Sequence, residues 1–496
     1  MYEKMKILLI EPPFYMLQGI QAWNASLGLA MLAAMANREG FETKVFSPDL
    51  EYNTKGKSES VITEYKNVDE KILLVKKRLD EILSSYQPEI IGVSLWTARA
   101  NVGLELAAHA KDNNPHLTII AGGIHPTILP KQVLNSKGID YVIRGEGEFA
   151  FIALLKALKE KRTPTGEYIS GLSCIDDHGN DIHNEIVYCK KLDDLPFPGY
   201  EHFLNYKNFD PISFGSVMFS RGCPFKCTYC ASHMLWTRRT RYHSPEYGFA
   251  ALKHIYENFG TNWFRFDDDT FTLKKNLVKG ICKYLQEEKL PIKWHCDTRV
   301  ELVTYDLLQE MKDVGLETIA MGVESGDPEI RKIIRKTSSL EETKRAFKIA
   351  SEIGIRTVGY FMIGFPGETF QQAERTLDLI MELKPTIPCI SICVPYPGTE
   401  TFDKAVELGL INNINSIDWS MYYHHSNMNF AGMISDKDWN ILLKRSAKIE
   451  EQLRLKRNLE DLTVGKLINR YIIKPQTIFK DVYKISNIIW KRFINT

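Results

Sequence analysis

The sequence predicts an α/β protein: a doubly wound N-terminal domain, then a partial six-unit βα barrel, then a helical C-terminal region. Three observations predict it. Short continuous apolar runs alternate with helical patterns over the first 165 residues, which means a parallel sheet covered on both faces. Six further strand–helix units begin near residue 209, the pattern of a barrel-like sheet with its site at the strands' carboxyl ends. After residue 415 the pattern turns irregular, then helical and basic. The expected divisions are 1–165, a linker with a hairpin over 166–208, the barrel over 209–415, and 416–496.

The elements follow in order. KILLIEP (residues 6–12) is a short buried strand, and LGLAMLAAMANREG (27–40) has helical periodicity with a glycine stop. TKVFSPD (43–49), PEIIGVSLW (88–96), LTIIAGGIHP (117–126) and DYVIRGEGE (140–148) supply four more strands of a Rossmann-like sheet. Ligands of such sheets bind beyond the carboxyl ends of the strands. GLSCIDDHGNDIHNE (171–185) reads as a hairpin turning at His178, Gly179 and Asn180, and DDLPFPGYE (193–201) as an extended connection. The TIM-like barrel then takes FGSVMFS (214–220), NWFRFDD (262–268), IKWHCDT (292–298), ETIAMGVE (317–324), RTVGYFMIG (356–364) and IPCISICVPY (387–396).

Composition bounds the function. Of 496 residues 44% are apolar and 25% charged, and the net charge is +1, which gives no electrostatic case for nucleic acid as a partner. No apolar run reaches the ~18–20 residues that span a bilayer. The N-terminal apolar stretch is too short for a signal peptide's core, so the expected location is cytoplasmic. Clustered cysteines in a reducing compartment read as metal ligands.

RGCPFKCTYC (221–230) places Cys223, Cys227 and Cys230 in the loop after the first barrel strand. Three thiolates are one short of a closed tetrahedral site. One reading is zinc, completed by His233, His243 or Cys282, although structural zinc favours paired C-x2-C elements. The other is an iron–sulfur cluster that keeps one iron free for an outside ligand.

This segment resembles the signature of the radical S-adenosylmethionine superfamily. The resemblance implies that the three cysteines hold a 4Fe-4S cluster whose free iron is chelated by S-adenosylmethionine, which is then cleaved to a 5′-deoxyadenosyl radical. Tyr229 occupies the aromatic place before the third cysteine, near adenine. FDDDTFT (266–272), DTR (297–299), MGVESG (321–326), MIGFPGET (362–369) and PYPGTE (395–400) resemble the motifs at later strand ends. Through them the resemblance implies Asp268, Asp269, Arg299, Glu324, Gly364 and Pro397 as cofactor contacts, with an Arg299–Glu324 salt bridge as the structural alternative for Glu324.

The N-terminal domain lacks G-x-G-x-x-G after its first strand, which disfavours a dinucleotide. It resembles the cobalamin-binding domain that precedes the radical domain in one branch of the superfamily, through SLGLAMLAA (26–34), GVSLWT (92–97), AGGIHPT (121–127) and RGEGE (144–148). Leu27, Gly28, Ser94, Trp96, Gly122, Gly123, His125, Thr127 and Glu146 are the implied contacts. None of the twelve histidines stands in an Asp-x-His-x-x-Gly context, so cobalamin is expected without a histidine lower ligand. Methylthio transfer would need three N-terminal cysteines, and none precedes Cys174.

Between residues 450 and 496 there are ten Lys or Arg against five Asp or Glu, and residues 478–494 have a basic amphipathic pattern. Such a helix can lie on a membrane surface or pack on its own protein. DWSMYYHHSN (418–427) offers His424 and His425 as proton-transfer candidates. The expected function is a cobalamin-dependent radical S-adenosylmethionine methyltransferase acting on an unactivated carbon, or a phosphorus, of a small or lipid-like molecule. An electron donor such as flavodoxin or ferredoxin would serve it. Radical cyclisation or rearrangement without methyl transfer is the alternative, and a non-catalytic iron–sulfur or zinc scaffold the third reading.

Overall fold

The computed structural model describes residues 4–52, 67–166 and 168–461. Strands β1 (Lys6–Ile10), β2 (Glu42–Phe46), β3 (Ile90–Ser94), β4 (Thr118–Gly122) and β5 (Tyr141–Ile143) run parallel in the order 2-1-3-4-5. Both faces of this sheet are covered, so Ile7, Leu8, Leu9 and Ile10 are all buried and the strand reads as an unbroken apolar run. The helix Leu27–Arg38 covers one face with Leu29, Ala30 and Ala33, and its first turn is capped by the Ser26 hydroxyl, which accepts from Leu29 N. The strand order reverses between β1 and β3. That reversal opens a crevice at their carboxyl ends.

β6 (Leu172–Ile175) and β7 (Asp181–His183) form the expected hairpin. Asp176 Oδ1 accepts from His178 N and Asn180 N, and Gly179 takes φ +81°, so the turn is held locally. The hairpin is not a free linker element. β6 pairs antiparallel with β5 and extends the first sheet to seven strands. Edge pairing of this kind joins distant segments and leaves no local mark in the sequence.

The second sheet is parallel throughout. β8 (Ser216–Val217) is followed by a two-residue strand, β9 (Ser220–Arg221), which pairs antiparallel with β10 (Arg241–Tyr242) outside the barrel. β11 (Trp263–Phe266), β12 (Lys293–Arg299), β13 (Leu316–Glu324), β14 (Arg356–Ile363) and β15 (Ile387–Ile392) continue from β8 in the order 8-11-12-13-14-15. Among the described residues the six parallel strands do not close on themselves, which makes an open barrel. The sequence predicts one strand over 214–220, but it breaks in two. Phe219 N donates to the Asp268 carboxylate instead of to a neighbouring strand, and the chain turns away to form β9.

Side chains alternate across the barrel wall. Phe264, Phe266, Trp294 and Cys296 are fully buried, with Phe266 stacked on Trp294 at 4.6 Å. The intervening positions, Arg265, Asp267, Asp297 and Arg299, line cavities. The helix Asp436–Asp461 lies along the β15 edge: Ile390 N donates to Glu450 Oε1 at 3.2 Å, and Arg445 pairs with Glu374 and Asp378. Among the described residues no helix is long and apolar enough to cross a membrane. The basic segment 478–494 lies outside them.

A buried ion quartet joins the two halves. Arg221 on β9 meets Glu148 at 2.5 Å and Glu146 at 3.3 Å, and Arg241 meets Glu146 at 2.7 Å. Burial works against the Glu148 charge, but Arg221 beside it outweighs that and holds its carboxyl below the usual range. Arg221→Met should therefore destabilise the protein by about 3–5 kcal/mol, because it strands a buried carboxylate. The melting temperature of the cofactor-free protein measures this. An unchanged value would show that water, not Arg221, solvates Glu148.

Candidate functional site

Two cavities lie at the carboxyl ends of the two sheets. The smaller, about 170 Å³, is bordered by all three clustered cysteines. Their loop begins at Gly222, with φ +99°, where a Cβ would come within 2.8 Å of the Arg239 carbonyl oxygen, so only glycine fits. Cys223 Sγ lies 3.8 Å from Thr270 Oγ1. Cys227 Sγ accepts from Arg299 Nη1 at 3.5 Å. Burial raises the Cys223 thiol and pushes Cys230 up to about 12, so as free thiols both are protonated and poor nucleophiles. A bound metal would replace those protons.

The donor set fits a cluster better than a single ion. Among the described residues no three His, Cys, Asp or Glu side chains are drawn together closely enough to hold one metal ion. Zinc would need its ligands converging at ~2.0–2.3 Å. Three thiols spread around one cavity suit a multi-iron cluster, in which each thiolate binds a different iron. Of the zinc-completing candidates, only His233 borders this cavity; His243 and Cys282 do not.

Around the thiols stand Tyr229, Asp269, Arg299 and Glu324. Arg299 stacks its guanidinium on Phe225 at 3.7 Å and is held by Glu301 at 2.6 Å and Thr337 at 3.0 Å. Glu324 ends β13 in a left-handed conformation, φ +69°, at a register shift against β14. A Cβ on Gly322 would meet Glu324 Oε1 at 2.3 Å, so the glycine makes room for the carboxylate to fold back. Its partner is Lys336 Nζ at 3.3 Å, so the Arg299–Glu324 salt bridge, the structural alternative for Glu324, is not formed. Arg299 is already occupied by Glu301. Burial, then the Glu324 carboxylate beside it, push the Tyr229 phenol well above its usual value.

Three implied contacts lie elsewhere. Asp268 does not border the cavity: its carboxylate accepts from Phe219 N and the Ser220 hydroxyl, and burial raises it to about 7. It braces the break between β8 and β9. Gly364 lies under Trp439, whose ring a Cβ would meet at 2.7 Å. Pro397 is buried in a turn whose neighbour, Gly398, faces Met234 and Ile128. Sequence reasoning missed Lys336, Asp297 and Tyr360, which border the cavity. Lys336 carries no motif. Asp297 opens the DTR run, whose implied contact is Arg299, and strand alternation puts both Asp297 and Tyr360 on the inward face.

The larger cavity, about 540 Å³, lies between the first sheet and the barrel mouth. Leu27, Gly28, Ser94, Trp96, Gly122, Gly123 and Glu146 line it from the N-terminal side. At Gly28 a side chain would meet nothing within 4 Å, and at Gly122 nothing nearer than 3.8 Å. The wall is bare backbone there, which fits a broad ring system. Trp96 is 56% exposed, with the Arg99 guanidinium 5.1 Å from its ring, and Arg99 is pinned by Glu11 at 2.6 Å. Glu146 is engaged by Arg221, Arg241 and Cys189 N, so its carboxylate is spent on the domain junction.

His125 and Thr127 do not line this cavity. The His125 ring is buried against Trp419 at 5.1 Å, and burial lowers it to about 4. The Thr127 hydroxyl donates to Gly123 O at 2.7 Å and accepts from Gly145 N at 2.9 Å, tying two strand-end loops together. The His424 carbonyl accepts from Ile392 N at 2.9 Å, which ties its segment to the end of β15.

A largely parallel sheet with an open crevice faces a partial barrel with three cysteines at its mouth, and two adjoining cavities lie at the strand ends. The family model described as the radical SAM superfamily matches residues 217–380, and the B12 binding domain model matches residues 24–155. The two matches put a B12 binding domain ahead of a radical SAM domain in one chain. It is 29% identical over 500 residues to an uncharacterized methyltransferase of Pyrococcus horikoshii, covering 99% of this chain and 97% of that one. The fold is similar to that of the radical S-adenosylmethionine methyltransferase TsrM from Kitasatospora setae, solved with cobalamin and a [4Fe-4S] cluster (TM-score 0.69, 17% identity, 90% and 91% of the two chains). It is also similar to the cobalamin-dependent radical enzyme OxsB, solved with aqua-cobalamin and S-adenosylmethionine (TM-score 0.70, 16% identity, 98% and 76%).

Proposed function

We propose that this chain is a methyltransferase that uses a 4Fe-4S cluster, S-adenosylmethionine and cobalamin to methylate an unactivated carbon or phosphorus centre of a small molecule. The observation that carries this reading is the pair of cavities that meet at Asp297, one edged by three thiols and the other walled by bare strand-end backbone. When bound, the cofactors supply a 5′-deoxyadenosyl radical and a transferable methyl group.

The chain's own residues set positions and exclude water. Cys223, Cys227 and Cys230 hold the cluster, with Arg299 placing positive charge beside Cys227. Tyr229, Asp269, Glu324 and Lys336 surround the S-adenosylmethionine. Gly28 and Gly122 would let a corrin ring approach the first sheet, with the exposed Trp96 ring on the same cavity wall. The described histidine that lines this cavity is His243, on the barrel side, with its Nδ1 3.0 Å from Asp193. The reading requires an outside one-electron donor.

Product analysis after anaerobic reconstitution with cobalamin tests it. S-adenosylhomocysteine and 5′-deoxyadenosine should form together, in comparable amounts, when a substrate-containing extract of small molecules is supplied. 5′-Deoxyadenosine alone would replace methyl transfer with cyclisation or rearrangement.

A further inference from the structure

Asp297 alone among the described residues borders both cavities. It sits on β12, and the groups around it are polar. Tyr360 on β14 donates its hydroxyl to Asp297 Oδ1 at 3.3 Å, and His295 Nε2 lies 3.2 Å from the same oxygen. Arg265 on β11 pairs with Asp267 at 2.6 Å, and both line the larger cavity beside it. Barrel interiors are ordinarily filled by branched apolar side chains. Here the inward positions of three strands carry two carboxylates, a guanidinium and a phenol, while the apolar residues of β11 and β12 point outward.

Asp267 is satisfied by Arg265. Asp297 has both of its partners on Oδ1, and among the described residues Oδ2 has none. A hydrocarbon placed here would drive water from that oxygen and leave it without a donor, which is costly. A hydroxyl or ammonium group would satisfy it.

We infer that Asp297 holds the substrate, and that the substrate is a small polar molecule with a hydroxyl or ammonium donor beside the reacting atom, not a lipid-like hydrocarbon. The inference rests on the two cavities being the cofactor sites, since an atom within reach of both cofactors has to sit where the cavities join. Tyr360 and His295 take up Oδ1, which leaves Oδ2 for the substrate.

The test uses full-length protein reconstituted anaerobically with iron, sulfide and cobalamin. It is dialysed against a mixture of common amino acids, ethanolamine, glucosamine and glycerol 3-phosphate, with oleate and squalene as apolar probes. Retained compounds are read by mass spectrometry. A polar, donor-bearing probe should be retained, and Asp297→Asn should weaken that retention by about ten- to a hundredfold, the scale of one lost charge-assisted hydrogen bond. Iron content and the cobalamin absorbance should not change. Tyr360→Phe removes a single hydroxyl and should weaken retention less, in the same direction; it carries the test if Asp297→Asn does not fold. Retention of oleate or squalene instead, retention of no polar probe, or equal retention by Asp297→Asn would overturn the inference. Failure of the underlying two-cofactor reading looks different, because the native protein would then take up no cobalamin or no iron.

Discussion

Replacing Cys223, Cys227 and Cys230 together with alanine should abolish the visible iron–sulfur absorbance and reduce bound iron from about four per chain to near zero. The reason is the lack of substitutes. None of the six other cysteines, Cys174, Cys189, Cys282, Cys296, Cys389 and Cys393, borders the thiol cavity. The nearest other ligand type, His233, is turned by its bond from Nδ1 to the Cys230 carbonyl. A lone imidazole cannot hold a cluster built for three thiolates. The loop itself is not a folding nucleus: the residues between β9 and the helix Ser232–Trp236 form no regular element. Far-ultraviolet circular dichroism of the triple variant should therefore match the native protein. A triple variant that still binds about four irons would remove the cluster from this site.

The backbone plan was legible in the sequence because it depends on local patterns. Continuous apolar strands such as Ile7–Ile10 can only be central strands of a covered parallel sheet. The cysteine spacing was equally local. What was not legible depends on where side chains go after folding. Asp268 and Asp269 are adjacent in one acidic run, yet the first braces the strand break and the second faces the cavity. Alternation along the chain separates them, and no composition argument could. His125 follows the two glycines of a strand-end loop, as a ligand contact would, but the ring turns inward against Trp419, contributed from nearly three hundred residues away. Lys336 is a plain lysine in a loop until the Glu324 backbone bends back to meet it.

Glu324→Gln should weaken S-adenosylmethionine binding by about 1–3 kcal/mol, the scale of a charge-assisted hydrogen bond, while leaving iron content unchanged. The geometry sets two roles against each other. In the first, Glu324 exists to neutralise Lys336, whose side chain is 3% exposed. In the second, the pair together forms one wall of the cofactor pocket, with the carboxylate free to accept from ribose hydroxyls or an ammonium group. The backbone favours the second. A non-glycine residue at φ +69° costs of order 1–3 kcal/mol, and such strain persists where function demands it. A purely structural ion pair could be had from an unstrained strand end. Both side chains also border the cavity with the three thiols. Lys336→Met separates the roles. If Glu324 serves only Lys336, either substitution lowers the melting temperature of the iron-loaded protein and neither alters affinity. If Glu324 serves the cofactor, Glu324→Gln lowers affinity measured by equilibrium dialysis, and Lys336→Met, which leaves the carboxylate in place, lowers it less. Unchanged affinity in Glu324→Gln with a lower melting temperature would return Glu324 to a structural role.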